Sequence, residues 1–78
     1  MREWLRDLRK SKGVTLAELG EAAGMSECHM SNIEAGKRKS KGLDVVTLAK
    51  IAGRLGVSLD VCFKAETEWM KETGLWQG

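Results

Sequence analysis

The sequence predicts an all-α domain, and three of its features support that class. Proline, which interrupts helices, does not occur among the 78 residues. Nine glycines punctuate the chain and supply stops between segments. Within those segments, apolar residues recur at three- and four-residue spacing, which is the period of an amphipathic helix. Helices are therefore favoured over a β-sandwich or a barrel.

The first two helices are defined by one apolar stripe and one capping signal. Residues 2–12 form a basic helix that Gly13 ends, and its narrow apolar stripe comprises Trp4, Leu5 and Leu8. Thr15 can cap the second helix, because Glu18 three residues later completes a capping box. The buried face of this helix is expected to hold Leu16, Leu19, Ala22 and Ala23. Gly24 ends it.

The third and fourth helices follow the same rules. Ser26 can cap the third helix, which directs Met30 and Ile33 inward and ends at Gly36. Asp44 can cap the fourth helix, which Gly56 ends. The apolar stripe of the fourth helix is the strongest in the chain and comprises Val45, Leu48, Ala49, Ile51, Ala52 and Leu55.

Residues 58–64 fit two structures. Ser58 could cap a short fifth helix, yet the apolar residues alternate with polar ones as in a half-buried strand, and this alternation favours the strand slightly. A lone strand would pair with its copy in a second subunit, as a dimerising strand. We therefore expect one domain over residues 1–64 and a tail over 65–78, whose Trp69 and Trp76 either pack on the subunit or contact a partner.

Size and composition exclude several classes of protein. A chain of 78 residues buries only about 60–65% of its unfolded surface, which leaves nothing for a second core. Apolar runs are too short to span a membrane, and MREWLRDLRK is too charged for a signal-peptide core, so we expect a cytoplasmic, nucleoid-associated protein. Cys28 and Cys62 lack metal-ligand spacing and are interpreted as free thiols. No cofactor is expected.

Charge is segregated along the chain. Residues 1–13 carry a net charge of +3, residues 14–36 carry −4 without a single Lys or Arg, residues 37–64 carry +5, and residues 65–78 carry −2. A fold that brings the two basic blocks to one side would form a surface for a polyanion.

Residues 16–35 meet the requirements of a helix-turn-helix unit. Gly20 is the small residue needed where two helices approach, and Gly24 tolerates the positive φ of the turn. The apolar residues that lock the two helices together are Leu19, Ala23, Met25, Met30 and Ile33. Seven matched positions at fixed spacing make this signal specific.

This unit resembles the Cro/C1-type (xenobiotic-response-element) family of helix-turn-helix domains. The resemblance rests on TLAELG and GMSECHMSNIEAGKR, and continues through VTLAKIA and LGVSLD, so that it covers residues 4–63. It implies a compact lambda-repressor-like domain of four or five helices that binds operator DNA as a dimer, with the third helix in the major groove. The chain departs from the family at Leu16, where many members have Gln, and in lacking the usual proline after the third helix.

The resemblance also assigns the residues that would contact DNA. Those expected to contact bases are Glu27, Cys28, Ser31 and Asn32. Those expected to contact phosphates are Thr15, Ser26, His29, Lys37, Arg38, Lys39 and Lys41. Asn can bond adenine in a bidentate fashion, Glu can accept from cytosine N4, and a thiol offers mainly apolar contact. Glu34 is expected to form a structural bond instead.

The resulting hypothesis is a sequence-specific DNA-binding transcriptional regulator, such as a repressor, that acts as a homodimer on a palindromic operator of double-stranded DNA. One alternative is an antitoxin of a toxin–antitoxin pair, whose tail would bind a toxin or other protein partner. Another is a protein-interaction module that has lost DNA binding. No convergent acid, base and nucleophile supports an enzyme.

Overall fold

The computed structural model describes residues 1–36 and 43–74, and within these ranges the chain is mainly helical. The helices are α1 (Glu3–Ser11), α2 (Leu16–Ala23), α3 (Glu27–Ala35), α4 (Val45–Leu55) and α5 (Leu59–Thr73). Within the described ranges there is no strand, which confirms the all-α class.

The starts of α2, α3 and α4 are capped where the sequence predicts, whereas Ser58 at the start of α5 makes no capping hydrogen bond with its side chain. Thr15 Oγ1 accepts the backbone N–H of Glu18 at 3.1 Å, and the Glu18 carboxylate accepts that of Thr15 at 2.9 Å, so the capping box is complete. Ser26 Oγ accepts the N–H of His29 at 3.1 Å, and Asp44 caps α4 in the same way. These side chains satisfy backbone donors that the first turn of a helix leaves unpaired.

The turn between α2 and α3 packs closely against α2 at Gly20. The Gly20 carbonyl accepts the N–H of Met25 at 2.7 Å, so the turn folds back directly onto α2. A Cβ atom at residue 20 would lie 2.9 Å from the Met25 carbonyl oxygen and 3.1 Å from that of Ser26. Because both neighbours are backbone atoms, only glycine allows this approach, as the sequence predicts.

The core divides into two clusters. The larger cluster comprises Leu5, Val14, Leu19, Ala23, Met30, Ile33, Ile51 and Leu55. The smaller one joins α4 to α5 and comprises Leu48, Ala52 and Cys62. Three residues that the sequence predicts to be buried, Ala22, Val45 and Ala49, are exposed. They lie at the margins of their apolar stripes, where none of the described helices covers them.

Residues 58–64 do not form a strand, so the dimerising strand that the alternation favoured is wrong. They begin α5, which continues as one helix to Thr73. The alternation misled because Val61 and Phe63 are 50% and 51% exposed, whereas Cys62 between them is fully buried. The buried residues of α5 are Cys62, Glu66 and Trp69, and they follow helical spacing instead.

Helix α5 also crosses the boundary that the sequence suggests between residues 64 and 65. Trp69 is buried, and its Nε1 donates to the Met1 carbonyl at 2.7 Å. The guanidinium of Arg2 lies 4.2 Å from the centroid of the same indole ring. Trp69 therefore packs on its own subunit, which is one of the two roles that the sequence allows. Trp76 lies outside the described residues.

A buried ion pair connects the N-terminal segment to α5. Arg2 Nε and Nη2 donate to the two carboxylate oxygens of Glu66 at 2.9 and 3.0 Å, and the side chains are only 6% and 3% exposed. Trp4 Nε1 donates to the same carboxylate at 3.2 Å. Across the described part of the chain, every buried side-chain nitrogen and oxygen has a hydrogen-bond partner.

We expect Gly20→Ala to destabilise the fold, whereas Gly53→Ala should stabilise it. The Cβ at residue 20 meets two backbone carbonyls, an overpacking that costs about 1–3 kcal/mol. Among the described residues, no atom outside the adjacent backbone of α4 lies within 4 Å of a Cβ at residue 53, so there only the helix preference for Ala remains, roughly 0.5–1 kcal/mol in favour. Urea unfolding measures the free energy of unfolding of each variant against that of the wild-type protein. Changes of the same sign in the two variants would contradict the close contact of the turn with Gly20.

Acid should weaken the start of α4. Hydrogen bonding from Thr47 lowers the pKa of the Asp44 carboxyl below its ordinary value. A carboxyl with a lowered folded pKa stabilises the fold above its unfolded pKa and loses that contribution as pH falls through the folded pKa. Asp44→Asn keeps the cap without the titration. Between pH 7 and pH 2, the unfolding temperature of the variant should therefore fall less steeply than that of the wild-type protein. Parallel plots of unfolding temperature against pH would refute the role of the Asp44 carboxylate.

Candidate nucleic-acid interface

Helices α2 and α3 form the helix-turn-helix unit that the sequence predicts. Gly24 ends α2 with φ of 72°, and Ser26 then caps α3, so the turn occupies only residues 24–26. Met30 is fully buried and Ile33 is 4% exposed, which confirms both as core residues. These two side chains fix the rotation of α3 about its own axis, and thereby determine which of its residues face solvent.

One exposed face of α3 carries all four residues predicted to contact bases. Glu27, Cys28, Ser31 and Asn32 are exposed. At 100° per residue these positions fall within an arc of about 140°, roughly opposite the buried side chains. The structure therefore brings the four together, on a surface that a flat or grooved partner can reach. Hereafter this set is the α3 face.

The two capping hydroxyls lie at the N-terminal ends of α2 and α3. Thr15 Oγ1 and Ser26 Oγ each accept a backbone N–H, and a hydroxyl that accepts one bond can still donate its proton to a phosphate oxygen. Helix N-terminal ends carry partial positive charge, which favours an anion there. His29 is partly buried beside the α3 face. The arrangement is chemically suited to the phosphate contacts predicted for these three residues.

The α3 face is itself acidic or neutral, since Glu27 is its only charged residue. The basic residues predicted to contact phosphates follow α3 along the chain. They are Lys37, Arg38, Lys39 and Lys41, all of which lie outside the described residues. Their contacts therefore stay predictions from the sequence.

Glu34 has a structural role, as predicted. Its carboxylate accepts from Arg9 Nε and Nη2 at 2.8 and 3.1 Å, and Arg9 Nη1 also donates to the Val14 carbonyl at 3.0 Å. The hydrogen bond to Glu34 raises the pKa of Arg9. The pair joins α1 to α3, and the Arg9 guanidinium makes its hydrogen bonds within the domain.

Sequence reasoning missed Arg2 and Glu66, the second buried pair. Glu66 follows Cys62 by four residues and precedes Trp69 by three, so its spacing places a carboxylate on the buried face of a helix. That spacing was a usable signal, but only after α5 is recognised as a helix. Arg2 carries no local sign of burial.

The structure also bears on the cysteines, on metal binding and on membrane spans. Cys28 and Cys62 are both free, as predicted; Cys28 is exposed, while burial raises the pKa of the Cys62 thiol. Among the described residues, no group of three or more His, Cys, Asp or Glu side chains could hold a metal ion. In that same part of the chain, no helix is both long and apolar enough to cross a bilayer.

Comparison with known proteins agrees with this geometry. A family model described as a helix-turn-helix domain matches residues 1–61. A protein of Bacillus subtilis (strain 168), named as the uncharacterized HTH-type transcriptional regulator YqaF, is 34% identical over 64 residues, which cover 82% of this chain and 80% of the relative. No solved structure matches significantly. The capped helix pair, the close packing of its turn at Gly20 and these matches lead to one conclusion: the chain belongs to the helix-turn-helix domain family.

Proposed function

We propose that this protein is a DNA-binding transcriptional regulator of the Cro/C1 type whose third helix reads the major groove. The observation that carries the proposal is the α3 face, four exposed polar residues on a helix whose opposite side is locked into the core. The major groove of B-DNA is wide enough to admit an α-helix. The relative from Bacillus subtilis, named as a transcriptional regulator, supports the same function.

Asn32 is the residue best suited to specify a base. Its carboxamide can donate to adenine N7 and accept from adenine N6 at once, a pairing that distinguishes adenine from the other bases. Glu27 can accept from cytosine N4, and Cys28 can contact a thymine methyl group. Ser31 lies between them on the α3 face, and its hydroxyl can donate a hydrogen bond to a base or accept one from it.

Phosphate contacts would hold the protein in register. Thr15 and Ser26 can donate their hydroxyl protons, and His29 lies next to the capped end of α3. The basic residues after α3 would supply most of the affinity, since cation–phosphate contacts release counterions. This division would leave base selection to the α3 face and attachment to the residues around it.

A homodimer on a palindromic operator is the assembly we propose. One α3 face reads only a few base pairs, and two copies related by a two-fold axis would read half-sites about one helical turn apart. Val61 and Phe63 of α5 are half-exposed apolar side chains that subunit contact would cover. Occupying an operator would regulate transcription by blocking or recruiting polymerase.

One observation favours a protein-interaction module that has lost DNA binding instead. Residues 14–36 contain no Lys or Arg, and Glu27 stands exposed at the start of α3, where a phosphate would repel it. If Glu27 selects cytosine, Glu27→Gln should weaken binding to the preferred DNA site and leave binding to DNA of other sequence unchanged. If Glu27 marks a surface for protein, the wild-type chain should show no salt-dependent affinity for DNA at all.

The affinity of the wild-type protein for DNA upstream of its gene should fall steeply with salt. Each phosphate neutralised contributes about −0.9 to the log–log slope. Lys39→Ala should make the slope shallower by about 0.9, because the variant neutralises one phosphate fewer. Lys64→Ala, which removes the same charge from an exposed position on α5, is the matched control. Fluorescence anisotropy from about 50 to 300 mM salt measures the slopes, and a flat wild-type response would exclude the DNA-binding function.

Asn32→Ala should relax preference at a single base pair of the site selected by the wild-type protein from a random DNA library. The loss should be roughly 1–3 kcal/mol at that position, while the salt slope stays unchanged. Glu21→Ala, an exposed change on α2 in a surface depression shared with Arg54 of α4, serves as the control. An unaltered base preference of the Asn32 variant would show that another residue reads the DNA.

A further inference from the structure

A groove runs along the junction of α1 and α5. It consists of two depressions of about 450 and 430 Å³, and Trp4 and Ala65 line both of them. Trp69 lies towards one end of the groove, and Leu8 and Val61 lie towards the other. Among the described residues, the lining comes from α1, α5 and the first residue of the chain, so this α1–α5 groove is separate from the α3 face.

Hydrogen bonds hold the two indole rings of the groove in place. Trp4 Nε1 donates to Glu66 at 3.2 Å, and Trp69 Nε1 donates to the Met1 carbonyl at 2.7 Å. The guanidinium of Arg2 lies 4.2 Å from the centroid of the Trp69 ring. A partner would therefore meet an aromatic surface that is already ordered, and this order lowers the entropic cost of binding.

The polar groups around these rings are mainly carboxylates. The exposed acidic residues of the lining are Glu3, Asp7, Glu68 and Glu72. No Lys or Arg is among the described residues that line the groove, although Arg6 Nε lies 4.0 Å from Asp7 and offsets part of its charge. Carboxylates along a groove repel a polyanion, so this surface does not suit nucleic acid.

We propose that the α1–α5 groove binds a basic amphipathic helix of a partner protein. Apolar side chains on one face of such a helix would pack on Trp4, Leu8 and Ala65, while its Lys or Arg residues would meet the carboxylates. The groove follows α5 from Val61 to Thr73, a length of about 18 Å, which is about three helical turns. This inference goes beyond the proposed function and does not depend on DNA binding.

The chain itself matches this groove less well than a separate partner does. Residues 75–78 carry no Lys or Arg, so they do not complement the carboxylates. The nearest match that the described part of a second copy offers is α4, which exposes Val46 and Lys50. Docking α4 into the groove would join unlike surfaces, and such contacts build open chains of molecules unless the rotation closes a ring.

The first test titrates the whole protein into a fluorescein-labelled peptide of about 14 residues, made of Leu and Lys with Leu at helical spacing. Fluorescence anisotropy is read at about 150 mM salt, where charges more than about 8 Å apart are largely screened. Glu68→Gln/Glu72→Gln should weaken binding about three- to tenfold, because exposed charge pairs each contribute little. The matched control is Glu21→Gln/Asp60→Asn, which removes two exposed carboxylates outside the groove and should leave the affinity unchanged.

The second test fills the groove without changing its charge. Ala65→Leu adds a larger side chain where the two depressions meet, and should weaken peptide binding at least about tenfold because the apolar face no longer fits. Ala49→Leu makes the same change at an exposed position on α4 and should bind as wild type does. Circular dichroism and urea unfolding check that each variant folds. If Ala65→Leu does not fold, the glutamate variant still decides.

The proposal is overturned if the wild-type protein does not bind the peptide, or if a folded Ala65→Leu variant binds it equally well. Equal binding of a control peptide with Ser in place of Leu would also overturn it, since charge alone would then suffice. Sedimentation equilibrium of the protein alone tests the second copy as occupant. Oligomers that Ala65→Leu abolishes would overturn the choice of a separate partner. None of these measurements involves DNA, so their failure leaves the proposed function standing.

Discussion

The carboxylate of Glu66 is the group on which the arrangement of the helices depends. Its two oxygens take four hydrogen bonds, from two guanidinium nitrogens of Arg2, from Trp4 and from the amide of Leu43. A carboxylate this deeply buried is tolerable only when its oxygens are bonded. The start of α1, the entry to α4 and the middle of α5 therefore have to fit one another simultaneously.

The helix-turn-helix unit is held by a different kind of constraint. Backbone atoms of the turn meet α2 at Gly20, where no side chain fits, and apolar contacts orient α3. The end of α3 is then bound by polar groups through Arg9–Glu34 and Arg2. Steric contact fixes the start of α3, and hydrogen-bonded charges fix its end. The exposed residues of the α3 face take no part in these contacts. Its residues can vary without changing the fold.

How far the sequence predicts this structure depends on how local each signal is. Caps at Thr15 and Ser26 involve neighbours three residues away, so they are readable in the sequence, as is the face that α3 exposes. At residues 58–64 the sequence left a short helix open but slightly favoured a strand, because the alternating apolar residues include Val61 and Phe63, which are exposed. Arg2 and Glu66 lie 64 positions apart, and only the folded chain shows that they meet. The basic residues after α3 that the sequence predicts to contact phosphates lie beyond the described residues.

The contrast between the two thiols has a chemical consequence. Cys62 is fully buried and its pKa is raised, so little reactive thiolate is available to a reagent, whereas Cys28 is exposed on the α3 face. A maleimide or iodoacetamide probe would therefore label Cys28 selectively in the native protein, with no engineered cysteine. A fluorophore attached there would report directly on whatever surface covers α3.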